Sequence, residues 1–348
     1  FSPTINVGSD SELTRFMKKS GYGIIYLIIF LFFISCSQPL VYKETRMFMG
    51  TIVSIEVVES SSRAATEIMN KVWDEAERLE RVFSRYLPDS EISRINREAG
   101  KRPVPVSDEM LEVLIRAEEI SRITEGAFDI SVGPLMEIWG FFPDRKGEVP
   151  SEGELADVMA RVGWRSIELD RSDQTVHFMK PGMDIDLAAI AKGFIVDQLV
   201  SLLVREGIES ALVNAGGDIY CLGEYPGRGL WRIGVEHPRE EGEVLTVLEL
   251  KDRAVATSGD YRNYFIRKKK RYSHIIDPRT GEPSRSEVAG VSIMAQDCVT
   301  ADGLATAMFV LGADRGISLL RRIEDVEGII ITEENGEIVV HYSAEDRG

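Results

Sequence analysis

Past residue 40 the chain alternates apolar and polar positions in "MGTIVSIEVVE", the period of a half-buried strand. The period then changes: Ala65, Ile68, Val72, Ala76, Leu79 and Phe83 form one stripe of a helix over residues 64–83. "FSRYLPDSEISRIN" breaks that helix at Pro88, whose ring removes a backbone donor. A second helical pattern runs from Ser107 to about Thr124, with Gly126 placed to end it. Ser151 and Glu154 make a capping-box pair before a short helix that stops at Gly163. "SIELDRSDQTVHFM" reads as strand, turn and strand, and a helix after Asp186 continues to Gly207. A series of short strands follows: "SALVNAGGDIYCLG", "LWRIGVEHP", "VLTVLEL", "RAVATSG", "YRNYFIR", "RYSHIID" and "VAGVSIMA". "TADGLATAMFVLG" predicts a helix closed by Gly312, and "GIIITEENGEIVVHY" a hairpin turning at Asn335–Gly336.

Helices and strands intermingle without regular βαβ alternation, so the expected class is α+β, not a doubly wound sheet. No repeat of solenoid length and no low-complexity linker interrupts residues 36–348, which read as one domain or two intimate subdomains. The first 35 residues read differently. Arg15, Lys18 and Lys19 precede "GYGIIYLIIFLFFIS", a run short for a membrane span and laid out like an export signal. Cys36 follows directly, and "FISC" resembles a bacterial lipoprotein signal that leaves a lipidated N-terminal cysteine. An uncleaved anchor helix is the alternative. Either one predicts a folded part outside the cytoplasm, tethered at the periplasmic face of the inner or outer membrane.

Composition narrows the partners. The 348 residues are 44% hydrophobic, enough for a sizeable core, and carry a formal net charge of −16. That field repels nucleic acid, which is excluded as a partner class. A polyphosphate ligand must then be held by local cations, backbone N–H groups or a metal. Beyond Cys36 only Cys221 and Cys298 remain, expected to be two buried free thiols.

Several stretches carry more chemistry than a loop needs. In "GAFDISVGPLMEIWGF", Asp129 is either a helix cap or a hydrogen-bond acceptor for a ligand ring. In "DIDLAAIAKGF", Asp186 is either an N-cap or a ligand contact, and Lys192 either plain surface charge or a phosphate partner at a helix N-terminus. The two glycines of "NAGGDI" permit close backbone approach beside Asp218. Asp302 and Thr306 in "TADGLATAM" are one helical turn apart, so their oxygens share a face, a modest site for a hard cation. His274 is either a buried structural histidine or a proton acceptor. "RKKKR", residues 267–271, reads as solvated charge on a hairpin turn.

Taken in order, "MGT", "FSRYLPDSEISRIN", "GAFDISVGPL…WGF", "DIDLAAIAKGF", "NAGGDI", "TSGDYRNYF", "SHIIDPRTGEP" and "TADGLATAMFVLG" resemble the FAD:protein FMN transferase (ApbE) family over about residues 45–340. The resemblance implies an ApbE-like fold and an Mg²⁺-dependent enzyme. Such an enzyme cleaves FAD and transfers FMN to a threonine or serine hydroxyl of an extracytoplasmic redox protein, releasing AMP. It further implies flavin-nucleotide contacts from Met49, Tyr86, Ala127, Phe128, Asp129, Asp186, Lys192 and Ile276. Asp302, Thr306 and the Ala189 carbonyl are the implied metal ligands, and His274 is the candidate base. Some relatives carry Asp where Ala305 stands and a hydroxyl residue where Ala189 stands, so a lighter metal shell is expected here. Two alternatives stay open on the same residues: an FAD pyrophosphatase using water, and a lipoprotein that binds FAD without chemistry.

Overall fold

The computed structural model describes residues 40–142, 147–261 and 263–344. The export signal and Cys36 lie outside the described residues. From Leu40 onward the chain is built on one sheet of eight strands. These are β1 (Leu40–Phe48), β2 (Thr51–Glu59), β3 (Ala211–Ala215), β4 (Asp218–Leu222), β5 (Arg253–Gly259), β6 (Val288–Ala295), β7 (Glu327–Glu334) and β8 (Glu337–Tyr342). Their spatial order is their chain order and every neighbouring pair is antiparallel.

Helices enter as insertions into this meander. Between β2 and β3 come α1 (Ser62–Phe83), α2 (Glu91–Glu98), α3 (Asp108–Ile123), α4 (Gly133–Ile138), α5 (Glu152–Met159) and α6 (Ala191–Arg205). Between β6 and β7 come α7 (Cys298–Leu311) and α8 (Ala313–Leu320). The predicted α+β class holds.

The apolar stripe of α1 packs with Val53, Ile55 and Val57 of β2, with Phe194 of α6 and with Leu304 and Met308 of α7 in one core. On the other face a two-stranded ribbon, Trp231–Glu236 with Val244–Leu250, sets Trp231 and Leu250 against Ile219, Cys221 and Val255. β6 is therefore covered on both faces, which is why "VAGVSIMA" is almost wholly apolar and does not alternate.

Local signals give the helix ends. Ser107 accepts from the Met110 N–H, the Ser151–Glu154 capping box closes in both directions, and Gly312 ends α7 at φ 82°. Asn335 (φ 53°) and Gly336 (φ 86°) turn the last hairpin. Three expectations need correction. β1 precedes the strand read from "MGTIVSIEVVE". α5 stops at Met159, short of Gly163. α6 begins at Ala191, so Asp186 does not cap it. The Asp186 carboxylate instead accepts from the Ala188 N–H at 2.8 Å and holds residues 188–190 in turns ahead of the helix.

Candidate functional site

Two tight turns and two helix ends meet around a cavity of about 470 Å³, within the usual range for a small-molecule site. The β1–β2 turn is Met49 (φ 46°) and Gly50 (φ 73°), and the β3–β4 turn is Gly216 (φ 65°) and Gly217 (φ 100°). Left-handed backbone suits glycine and is strained for methionine, so Met49 is held at the cavity rim at a conformational cost of about 1 kcal/mol or more. The turns lie side by side. The Gly216 N–H donates to the Ile52 carbonyl at 3.0 Å, and a Cβ on residue 216 would stand 2.3 Å from Thr51 Oγ1.

The cavity floor is electrostatic. Lys192 Nζ stands 2.6 Å from Asp218 Oδ2 and 3.1 Å from Asp302 Oδ2, and donates to the Ala188 carbonyl at 3.1 Å. Both carboxylates are buried. Burial opposes the lysine's charge, but the two acids outweigh it and raise its pKa. Burial, then repulsion from Asp218, pushes the Asp302 carboxyl up to about 7. One lysine thus faces two acids, and the floor carries excess negative charge. Asp218 Oδ2 finds no aligned hydrogen-bond donor, its short contact with Lys192 being an ion pair of poor hydrogen-bond geometry.

Gly193 makes this floor possible. A Cβ there would lie 2.3 Å from the Cys298 carbonyl oxygen and 2.9 Å from Asp302 Cβ, so only glycine lets α6 approach α7 this closely. The Gly193 N–H then donates to Asp302 Oδ2 at 3.1 Å. The free N–H expected to meet a phosphate at this helix N-terminus is used by the protein's own carboxylate. Across the junction Asp197 of α6 accepts from the Cys298 and Val299 N–H groups, both at 2.8 Å, capping α7 from outside.

The walls are more committed internally than the sequence suggested. Asp129 accepts from the Ser131 N–H at 2.8 Å, the Ser131 hydroxyl at 2.6 Å and the Trp164 N–H at 2.8 Å. It is a cap, and what it gives the cavity is the shape of the loop carrying Ala127 and Phe128. Asp186 faces Arg85 at 3.3 Å; Arg85 also pairs with Asp184 at 3.2 Å and lies 4.0 Å from the Phe142 ring centroid. Asn96 brackets Ile185 with two backbone hydrogen bonds of 2.9 Å, fixing the strand-like approach to Asp186.

His274 stands with Ile275 and Ile276 on another wall. Its Nδ1 is 2.9 Å from the Asn263 carbonyl oxygen, which can only accept, so Nδ1 carries a proton, and in the neutral ring the lone pair lies on Nε2. Thr306 is 3.3 Å from the Ser258 hydroxyl.

All the residues singled out from sequence as binding, metal-ligating or catalytic line this one cavity: Met49, Tyr86, Ala127, Phe128, Asp129, Asp186, Ala189, Lys192, His274, Ile276, Asp302 and Thr306. Ala305 is fully buried and not among the lining residues. Sequence reasoning missed Arg85, and it left Asp218, marked by the adjacent Gly-Gly pair, as a ligand acceptor or a turn cap; the structure pairs it with Lys192. Cys221 and Cys298 are unpaired and buried, and burial pushes the Cys221 thiol up to about 12.

Among the described residues no cluster of three or more acidic, histidine or cysteine side chains is set to hold a metal. The donors present are all oxygens: two carboxylates in excess of one lysine, a threonine hydroxyl and backbone carbonyls. That chemistry fits a hard cation which leaves several positions to water and phosphate.

Comparison with known proteins agrees with this architecture. Residues 49–330 match the model of the ApbE family. The FAD:protein FMN transferase of Haemophilus influenzae is 34% identical, aligned over 94% of this chain and 97% of its own length. That of Vibrio cholerae is 38% identical over 78% of this chain and 81% of its own. Among solved structures, the flavin transferase ApbE from Vibrio cholerae superposes with a TM-score of 0.79 at 32% identity, covering 88% of this chain and 98% of that one. The ApbE protein from Thermotoga maritima gives 0.78 at 34% identity, covering 86% and 96%. With the family match over residues 49–330 and these relatives in agreement, the chain belongs to the ApbE family of flavin transferases.

Proposed function

We propose that this transferase cleaves FAD between its two phosphates and moves the FMN half to a serine or threonine hydroxyl of an extracytoplasmic redox protein. The acceptor oxygen bonds to the FMN phosphorus as the bridging P–O bond breaks. The electron pair leaves on the phosphate of AMP, and the hydroxyl proton passes to a base. The observation that supports this most is the joining, in one cavity, of an apolar rim and a charged floor. Met49, Tyr86, Ala127, Phe128 and Ile276 suit a flat ring system, while Lys192, Asp218, Asp302 and Thr306 suit a pyrophosphate with its counter-ion.

Each residue then has a task. Lys192, held by two acids, keeps its proton and offsets phosphate charge. Asp302, Thr306 and the Ala189 carbonyl would hold Mg²⁺, with Asp218 close by. Held there, such an ion would supply positive charge against that of the phosphates. Gly193 and Asp197 fix the α6–α7 junction on which those groups stand. His274, with its lone pair on Nε2, takes the acceptor proton. Little covalent help is needed, because phosphoryl transfer depends mainly on positioning and charge. Lipidation of Cys36 tethers the enzyme to the membrane that also holds its acceptors.

The test is mass spectrometry. Purified chain, FAD and Mg²⁺ should make an exported flavoprotein acceptor heavier by one FMN with release of AMP. Release of free FMN and AMP with the acceptor unmodified would assign the site to pyrophosphatase chemistry instead.

A further inference from the structure

Five consecutive cations, Arg267 to Arg271, stand in a chain whose net charge is −16. They occupy the outer half of a two-stranded hairpin, Tyr264–Arg267 with Lys270–Ser273, that no larger sheet absorbs. Its base is firmly seated. Phe265 stacks on Tyr272 at 5.0 Å between ring centroids and packs on Phe141 at 5.4 Å, and Tyr272 meets Trp139 at 5.7 Å. A Cβ on Gly147 would fall 2.2 Å from the Phe265 ring, so glycine there lets the loop close on the hairpin.

Above that base the hairpin exposes apolar surface with no core beneath it: Tyr264 is 41% exposed and Ile266 63%. The tip residues Lys268 (φ 48°) and Lys269 (φ 64°) fill the two left-handed positions of the turn, where Asn and Gly fit best. Arg271 is tied to Asp260 at 3.3 Å and Lys270 lies over the Tyr272 ring at 5.1 Å. Among the described residues Arg267, Lys268 and Lys269 take part in no ion pair.

A second cavity of about 470 Å³ runs along this hairpin and adjoins the first, sharing lining residues with it. Met49, Gly50, Tyr86 and Asn263 line both, and Phe141, Phe142, Tyr264 and Phe265 continue the groove outward. Asn263 is the residue whose carbonyl holds His274. A chain segment lying in the groove would therefore present its side chains beside the candidate base.

We propose that this groove and hairpin are the docking arm for the acceptor protein, and that the segment they take is extended and acidic. The inference rests on reading the first cavity as the flavin-transfer site. The aromatic groove receives the residues around the hydroxyl, and the unpaired cations at the tip receive carboxylates further along. From Tyr264 to the tip is four residues, about 14 Å of strand, so the acids sit about four residues from the hydroxyl. The hairpin's outer edges carry main-chain groups to which an extended segment can pair. Opposite charge speeds encounter and fixes register.

The experiment uses the full chain and a fluorescein-labelled peptide with one threonine and aspartates about four residues from it. A control peptide carries lysines in place of the aspartates. By fluorescence anisotropy at low salt the aspartate peptide binds about tenfold tighter than the lysine peptide. Lys268→Glu with Lys269→Glu abolishes that preference, and Ile266→Ser weakens both peptides. FAD affinity is unchanged in each variant, showing that the cavity still folds. Equal binding of the two peptides, or a preference that survives the charge reversal, overturns the proposal. So does a reversal that releases the chain from phosphatidylglycerol vesicles and leaves peptide binding intact, which would make the hairpin a membrane contact. Charge-selective peptide binding with no FMN transfer to any hydroxyl would refute the transferase reading and leave the docking arm standing.

Discussion

Replacing Lys192 by methionine tests the electrostatic floor directly. Methionine keeps most of the aliphatic stem, so packing changes little and the charge is what is lost. The lysine stands 2.6 Å and 3.1 Å from two buried carboxylates. Removing one partner of a fully buried ion pair costs about 3–5 kcal/mol. Here the lysine side chain is 30% exposed to the cavity, which lowers the figure to about 2–3 kcal/mol. The cost also depends on pH. Lysine is charged in folded and unfolded chains alike near neutrality and adds no slope. Asp302 does: its carboxyl is held at about 7 in the fold against 3.8 as the unperturbed value, so its ionisation penalises the folded state increasingly as pH rises through that window. Without the lysine, which lowers it, that pKa climbs further. Between about pH 6 and pH 8 this group's ionisation then penalises the folded variant more than the folded wild type. The deficit of Lys192→Met should therefore widen on going from the lower pH to the higher. Urea denaturation at the two pH values measures it. A deficit under about 0.5 kcal/mol, or one that is constant or shrinks with pH, would show that Lys192 is ordinary surface charge.

Gly193→Ala places a methyl 2.3 Å from a backbone oxygen, so α6 and α7 must part; a loss of about 1–3 kcal/mol or more in chemical denaturation is expected, with FAD affinity falling alongside. Asp302 must be ionised to hold a cation, so Mg²⁺ binding should release a proton and weaken as pH falls below about 7; calorimetry in buffers of different ionisation enthalpy reads this, and Asp302→Asn should abolish both the binding and the release. His274→Asn should leave FAD affinity unchanged and slow transfer about 100-fold or more at neutral pH; stopped-flow rates with saturating FAD and acceptor check it.

Legibility divided along a physical line. What is written in neighbouring residues could be read: the Ser151–Glu154 box, the Gly312 stop and the Asn335–Gly336 turn each need only a few positions, and the structure shows all three. What depends on contacts between distant segments could not. β2 pairs with β3 across six intervening helices, and no periodicity announces a partner so far along the chain. Lys192 and Asp302 meet from 110 residues apart. The ordered motifs pointed to the cavity residues, but which oxygen each would face is decided by how α6 and α7 cross.

Asp186 and Asp302 illustrate the difference. From sequence Asp186 is either a ligand contact or a helix cap, the latter because a carboxylate ahead of an apolar helical run usually is one. Three turn residues displace the helix start to Ala191, and the acid is spent on that turn and on Arg85. The N-terminal N–H of α6 goes to Asp302, which arrives from another helix because residue 193 has no side chain to keep it out. A helix N-terminus that looked ready for a phosphate thus anchors a carboxylate, and the carboxylate, pressed against a second one, is what gives the floor its affinity for positive charge. In the proposed reaction the phosphates would be met by the groups that the helix end holds in place, not by the helix end itself.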